Sequence, residues 1–180
     1  LKDAHGGLGP ENALVRGILS TVSGKLFSVG YDRQLCMWDT DSTRSLNSPA
    51  DGKKGKKLGA VPRDVPKLKL MGTPVVCHDG AISAMAFDPD NNWIITGSFD
   101  RRVRIWANDG TRVTEITSFS DTLTGLCYVP ATKTLWLSAN SPHPIVYDPR
   151  SATDITAFLQ QTANTAAENT GAKDTQPGPG

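Results

Sequence analysis

Gly30-Tyr31-Asp32-Arg33-Gln34-Leu35-Cys36-Met37-Trp38 and Ser98-Phe99-Asp100-Arg101-Arg102-Val103-Arg104-Ile105-Trp106 are two versions of one unit, an Asp-Arg turn followed by a run that ends in Trp, at a constant offset of 68 residues. Read backwards without a gap, the same offset carries Leu26 and Phe27 onto Ile94 and Ile95, Ser28 onto Thr96, and Leu14 and Leu19 onto Ile82 and Phe87. A third copy follows 41 residues after the second, where Leu123, Tyr128, Leu135, Val146 and Tyr147 fall on Ile82, Phe87, Ile94, Ile105 and Trp106.

Each copy holds three short runs rich in branched and aromatic residues, separated by turn clusters such as Asp88-Pro89-Asp90-Asn91-Asn92 and Gly97-Ser98-Phe99-Asp100. This pattern predicts a small antiparallel meander. Thr111 to Ile116, after Asn108-Asp109-Gly110, supplies a fourth strand to the second copy, and the run from Ile155 to Leu159 is expected to do so for the third. Four strands in roughly 40 residues suit a propeller blade. The sequence resembles the WD-repeat β-propeller family. The second copy carries the fullest match, with His78 before the first strand, Asp100 in the turn between the second and third, and Trp106 closing the third; the first copy has His5, Asp32 and the literal Trp38-Asp39 pair.

The resemblance implies an all-β fold, a partial β-propeller of about three four-stranded antiparallel blades. The expected organisation is a first blade over 1–46, a basic Pro/Gly-rich inserted loop over 47–76, a second blade over 77–117, a degenerate third blade over 118–160 and a disordered tail over 161–180. The tail contains no Val, Ile, Leu, Met or aromatic residue. Three blades cannot close a ring, and Leu1-Lys2-Asp3-Ala4 resembles the end of a preceding outer strand, so the chain reads as a segment of a larger propeller, with self-association as the alternative.

In WD-repeat proteins, the residues matching Asp100, His78, Thr96 and Trp106 form a buried hydrogen-bond chain, and the same roles fall on Asp32, His5, Ser28 and Trp38. The chemistry permits it: carboxylate accepts, neutral imidazole donates and accepts, hydroxyl does both, and indole donates. A Ser/Thr-His-Asp set also invites a hydrolase reading, but a nucleophile needs an exposed oxygen beside an oxyanion hole, and here the indole consumes the hydroxyl. No catalytic residue, cofactor or metal site is assigned. The third copy places Phe119, Leu137, Ser141 and Tyr147 at the four positions, retaining none of the original residues.

Cys36, Cys77 and Cys127 are odd in number, widely spaced and form no CxxC pair, which argues against a zinc cage or a disulfide framework. A net charge of +1 excludes an overall nucleic-acid field, and no apolar run approaches the length of a membrane span. Charge is concentrated locally: Lys53, Lys54, Lys56 and Lys57 lie in a stretch, Asp51 to Leu70, that carries a net +5. That stretch lacks the aromatics that would stack bases, so a solvated loop is preferred to a nucleic-acid contact. His143, between Pro142 and Pro144, is expected on a loop surface.

The resemblance also implies a binding rim. The residues preceding the turn Asp point toward the central opening; here they are Tyr31, Phe99 and Asn140, with Arg33 and Arg101 following the aspartates. Aromatic residues and arginines are the side chains most enriched at binding hot spots, although Tyr31 and Phe99 packing between blades is the plainer alternative. The leading expectation is a non-catalytic protein-interaction scaffold in the cytoplasm, part of a large cytoskeletal or ciliary assembly, with the nucleus left open. A substrate adaptor of a cullin-type ubiquitin ligase is the alternative, since Tyr147-Asp148-Pro149-Arg150 resembles the ending that marks such adaptors, with Arg150 as the contact. A nucleic-acid-associated scaffold acting through the lysine-rich loop is the third.

Overall fold

The computed structural model describes residues 4–5, 14–41, 67–117, 119–158 and 160–161. Among them are twelve strands in three four-stranded sheets, each an antiparallel meander in chain order. The first sheet holds β1 (Val15–Ser20), β2 (Lys25–Gly30), β3 (Gln34–Asp41) and β4 (Lys67–Val76). The second holds β5 (Ile82–Asp88), β6 (Trp93–Ser98), β7 (Val103–Ala107) and β8 (Arg112–Ile116), and the third β9 (Leu123–Val129), β10 (Thr134–Ala139), β11 (Ile145–Asp148) and β12 (Thr153–Asp154). These are three blades of a partial β-propeller.

The copies share a register. Leu26 faces Trp38, Ile94 faces Trp106 and Leu135 faces Tyr147 across the second and third strands of the three sheets. Successive side chains on a strand point to opposite faces, and in β2 and β6 both faces are covered, whereas Trp136 and Ser138 of β10 are exposed. Ile94 enters a core with Phe27, Val29, Leu35, Ile82 and Trp106, between the first and second sheets. Its neighbour Ile95 enters a different core, with Val103, Ile105, Leu123, Leu135 and Tyr147, between the second and third. Gly97 permits the closest approach of the latter pair: a Cβ there would stand 3.1 Å from Leu126 Cδ1.

The hairpin turns after the first strands share a left-handed residue, Gly24 (φ 79°), Asn92 (φ 56°) and Lys133 (φ 56°), at equivalent positions. Between Ser20 and Gly24, however, the first turn is one residue shorter than its counterpart. Ser20, not Leu19, therefore opposes Leu26 as Phe87 opposes Ile94, and the gapless match breaks along β1. The structure corrects two further expectations. Residues 67–76 are not loop but the ten-residue outer strand β4, in register with β3. Lys67-Leu68-Lys69-Leu70 alternates as a strand does, and Pro74 is tolerated because the strand lies at a sheet edge. In the third sheet the outer strand is Thr153–Asp154, and a helical turn begins at 156, because Asp154 Oδ1 accepts the Thr156 N–H at 2.8 Å and caps it. The rest of the inserted loop, residues 162–180 of the tail and Leu1 to Asp3 lie outside the described residues.

Ile95→Ala should cost about 2–5 kcal/mol in urea unfolding, by opening a cavity between two sheets, whereas Val113→Ala on exposed β8 should stay within about 0.5 kcal/mol. Equal costs would contradict burial of β6 on both faces.

Candidate functional site

The side chains that carry polar chemistry gather where the turns before β3 and β7 meet the segments preceding β1 and β5. In the second sheet, Trp106 Nε1 donates to Thr96 Oγ1 at 2.9 Å, Thr96 Oγ1 lies 2.8 Å from His78 Nε2, and His78 Nδ1 lies 3.0 Å from Asp100 Oδ2. In the first, Trp38 Nε1 donates to Ser28 Oγ at 2.8 Å, Ser28 Oγ lies 2.7 Å from His5 Nε2, and His5 Nδ1 lies 2.9 Å from Asp32 Oδ2. A neutral imidazole protonated on Nδ1 donates to the carboxylate and accepts from the hydroxyl, which in turn accepts from the indole. His5 occupies its place although it sits 27 residues before Asp32, against 22 between His78 and Asp100. Both carboxylates also hold their turns: Asp32 Oδ1 accepts the Gln34 N–H at 3.2 Å and Asp100 Oδ1 the Arg102 N–H at 3.1 Å.

Ser28 is 5% exposed and Thr96 0%, so neither hydroxyl is presented to a substrate. Among the described residues, no group of three or more His, Cys, Asp or Glu converges as a metal site. No helix there is long and apolar enough to cross a membrane.

Around the second network lies an ionic shell that the spacing of the repeats does not disclose. Buried Arg104 donates to the Cys77 carbonyl and through Nε to Glu115 Oε2, and its Nη2 lies 3.8 Å from Asp79 Oδ2. Arg102 Nη1 donates to Glu115 Oε1 at 2.7 Å. At the position of Arg104 the first sheet has Cys36, whose thiol donates to the Ala4 carbonyl at 3.3 Å, so different chemistry fastens the histidine segment in each. In the sequence the signal was Arg104 within the otherwise apolar run of β7, with Glu115 on the strand that follows.

In the third sheet three of the four network positions hold Phe119, Leu137 and Tyr147, and the fourth holds Ser141, which is exposed. Phe119 and Tyr147 pack with ring centroids 5.3 Å apart at 54°, over buried Leu137.

Tyr31 and Phe99 lie side by side on this rim, ring centroids 6.2 Å apart and tilted by 55°. Tyr31 is half-buried, Phe99 is 41% exposed, and Asn140 is exposed in the third sheet. The residues packed between blades and the residues offered on the rim are thus the same. Arg33 and Arg101, both left-handed (φ 66° and 63°), reach to the following sheet: Nη1 of each approaches a backbone carbonyl, Asp79 at 3.4 Å and Ser120 at 3.5 Å. Those carbonyls are equivalent, so the arginines form a repeated link between blades. Arg150 is exposed, with Nε 3.3 Å and Nη2 3.5 Å from the Asp148 carboxylate, and His143 is exposed. Lys53, Lys54, Lys56 and Lys57 lie outside the described residues.

Comparisons with known proteins agree with this geometry. Residues 69–107 match the model of the WD domain, G-beta repeat, a unit that runs from the outer strand of the first sheet to the third strand of the second. The chain is 30% identical over 89 residues to Protein HIR1 of Yarrowia lipolytica, covering 47% of the chain and 8% of that protein. It is 26% identical over 101 residues to the guanine nucleotide-binding protein subunit beta of Schizosaccharomyces pombe, covering 56% of the chain and 25% of that protein. The solved structure of U3-55K superposes with a TM-score of 0.55 at 18% identity, over 78% of this chain and 37% of that one. The matched unit is thus a WD repeat, and it lies among three sheets of shared register in a partial β-propeller. The chain spans a quarter or less of the length of these two curated relatives.

Burial pushes the His78 imidazole below its ordinary 6.5, against the pull of the Asp100 carboxylate. Burial alone would raise the Asp100 carboxyl, but His78, the Asp79 N–H and Arg104 together hold it below 3.8. As pH falls below 6.5 the unfolded chain protonates this histidine while the folded one does not, so its contribution, complete above 6.5, is lost toward its folded value. That of Asp100 is complete above 3.8 and lost on further acidification. A His78 ring already half protonated at pH 6.5 in an NMR titration of the folded chain would contradict this. Asp100→Ala should cost about 1–3 kcal/mol by leaving buried groups unpaired, read as a lowered melting temperature.

Burial, with the Asp32 carboxylate adding to it, pushes the Cys36 thiol up to about 12, and burial pushes Cys77 up as well. Cys127 is exposed. Brief iodoacetamide treatment of the native chain should alkylate Cys127 alone, as peptide mass spectrometry would show.

Proposed function

We propose that the chain is a non-catalytic scaffold that holds other proteins on the rim carrying Tyr31 and Phe99. One observation carries this reading: an aromatic pair spans two blades while Phe99 keeps 41% of its surface in solvent. Large aromatics that are held rigid yet exposed are the side chains that dominate protein interfaces. The hydroxyls that would serve a hydrolase are consumed inside the sheets, which favours binding over catalysis.

Within that role, membership of a large cytoskeletal or ciliary assembly in the cytoplasm fits a chain with one degenerate blade and a long connection between β3 and β4. The ligase-adaptor reading has less support, since Arg150 is turned back onto Asp148 and Ser141 replaces the turn aspartate. A nucleic-acid role would rest on the lysine-rich stretch, which has no described counterpart on the rim.

Affinity capture with the parent chain, Tyr31→Ala and Phe99→Ala, compared by quantitative mass spectrometry, tests the proposal. Partners retained by the parent should fall at least about tenfold with either variant, the loss expected of a hot-spot aromatic. An identical retained set for all three folded chains would refute it.

A further inference from the structure

The ionic shell of the second blade has a counterpart in the third that is not filled. Counting along the 41-residue repeat, His78, Asp79 and Asp100 become Phe119, Ser120 and Ser141. Arg102, Arg104 and Glu115 become His143, Ile145 and Thr156. Both guanidinium groups and all three carboxylates are thereby replaced by smaller or apolar side chains. The space they fill in the second blade is an open cleft of about 220 Å³ in the third, lined by these same six replacements together with Pro144, Tyr147 and Asp154.

The chemistry of this lining is one-sided. The tilted Phe119–Tyr147 pair gives it an aromatic wall, and Ser120, Ser141 and Thr156 supply hydroxyls. Asp154 brings a carboxylate whose Oδ1 accepts the Thr156 N–H; His143 also lines the cleft, and among the described residues neither Lys nor Arg does. In the second blade the group in the corresponding space is the Arg104 guanidinium, paired with Glu115. A planar guanidinium stacks on an aromatic face and forks onto a carboxylate, whereas an ammonium is a compact, strongly hydrated charge.

We propose that this cleft takes an arginine side chain from a partner peptide, which would occupy in the third blade the space that Arg104 fills from within the second. The inference rests on the scaffold reading and names partner chemistry at a second place on the blades, lined by neither Tyr31 nor Phe99.

The test uses the whole 180-residue chain, labelled with ¹⁵N and titrated with acetyl-Gly-Arg-Gly-amide and its Lys and Gln counterparts. The arginine peptide should shift the amides of Ser141, His143 and Thr156 saturably, with the Gln peptide at least about tenfold weaker, as expected for loss of a charge-assisted contact. Asp154→Asn, which keeps an acceptor for the Thr156 N–H, should weaken the arginine peptide by a similar factor. Ile145→Arg should abolish binding by supplying the guanidinium from within, and a melting curve of each variant checks that it folds. Equal response to the Arg and Gln peptides, equal response to Arg and Lys, or undiminished binding by folded Asp154→Asn would overturn the proposal. Because Tyr31 and Phe99 are untouched, failure here leaves the capture experiment on those residues able to succeed.

Discussion

The middle strand β6 is buried on both faces, between the first and third sheets, and much of the rest of the structure follows from that constraint. Ile94 and Ile95 are neighbours in sequence, both fully buried, yet they belong to separate cores. A sheet built this way has no solvated face to fall back on, so it is stable only between two others of its kind. Repetition of the sequence is thus a packing condition. The polar side chains that the strands do admit, Ser28, Thr96 and Arg104, are each paired, and they tie the strands to the segments at their ends.

At those ends the connecting segments have few apolar contacts to hold them. Both Asp-His-hydroxyl-Trp chains answer this by tying a loop, a turn and two strands with groups whose donors and acceptors match in order. A half-satisfied buried network is worse than none, since an unpaired donor retains its desolvation cost. The third blade obeys the same logic: all four members have changed together, and the Phe119–Tyr147 contact replaces them without leaving a member of the old chain behind.

How much of this could be read in advance depended on whether the deciding contact was periodic. The register of Leu26, Ile94 and Leu135 was legible because burial fixes each position. The polar chains were legible because Asp, His, Ser or Thr and Trp stand at the positions that form such a chain in the family the sequence resembles, an order their donors and acceptors permit. Strand β4 was not: its lysines weighed as loop charge, although Lys-Leu-Lys-Leu is also an alternating edge strand. The shortened turn before Gly24 escaped because a surface turn can lose a residue without disturbing the core. Arg33 and Arg101 escaped for another reason, their partners being backbone carbonyls 46 and 19 residues away, which have no sequence signature.

Degeneracy in the third blade is therefore uneven. At the positions of the old chain, Leu137 and the Phe119–Tyr147 contact restore packing and close the interior. At the positions of the ionic shell, Ser120, Ser141 and Thr156 are too short to meet one another as Arg104 meets Glu115 and Asp79, and the space stays open. An interior loss must be compensated at once, because a buried void or orphaned donor destabilises the fold. A loss at the solvent boundary need not be, because water satisfies the remaining groups at little cost. Relaxed constraint thus opens clefts on the rim of a blade while leaving its core intact, so the blade that departs most from the repeat has room for chemistry the regular blades lack.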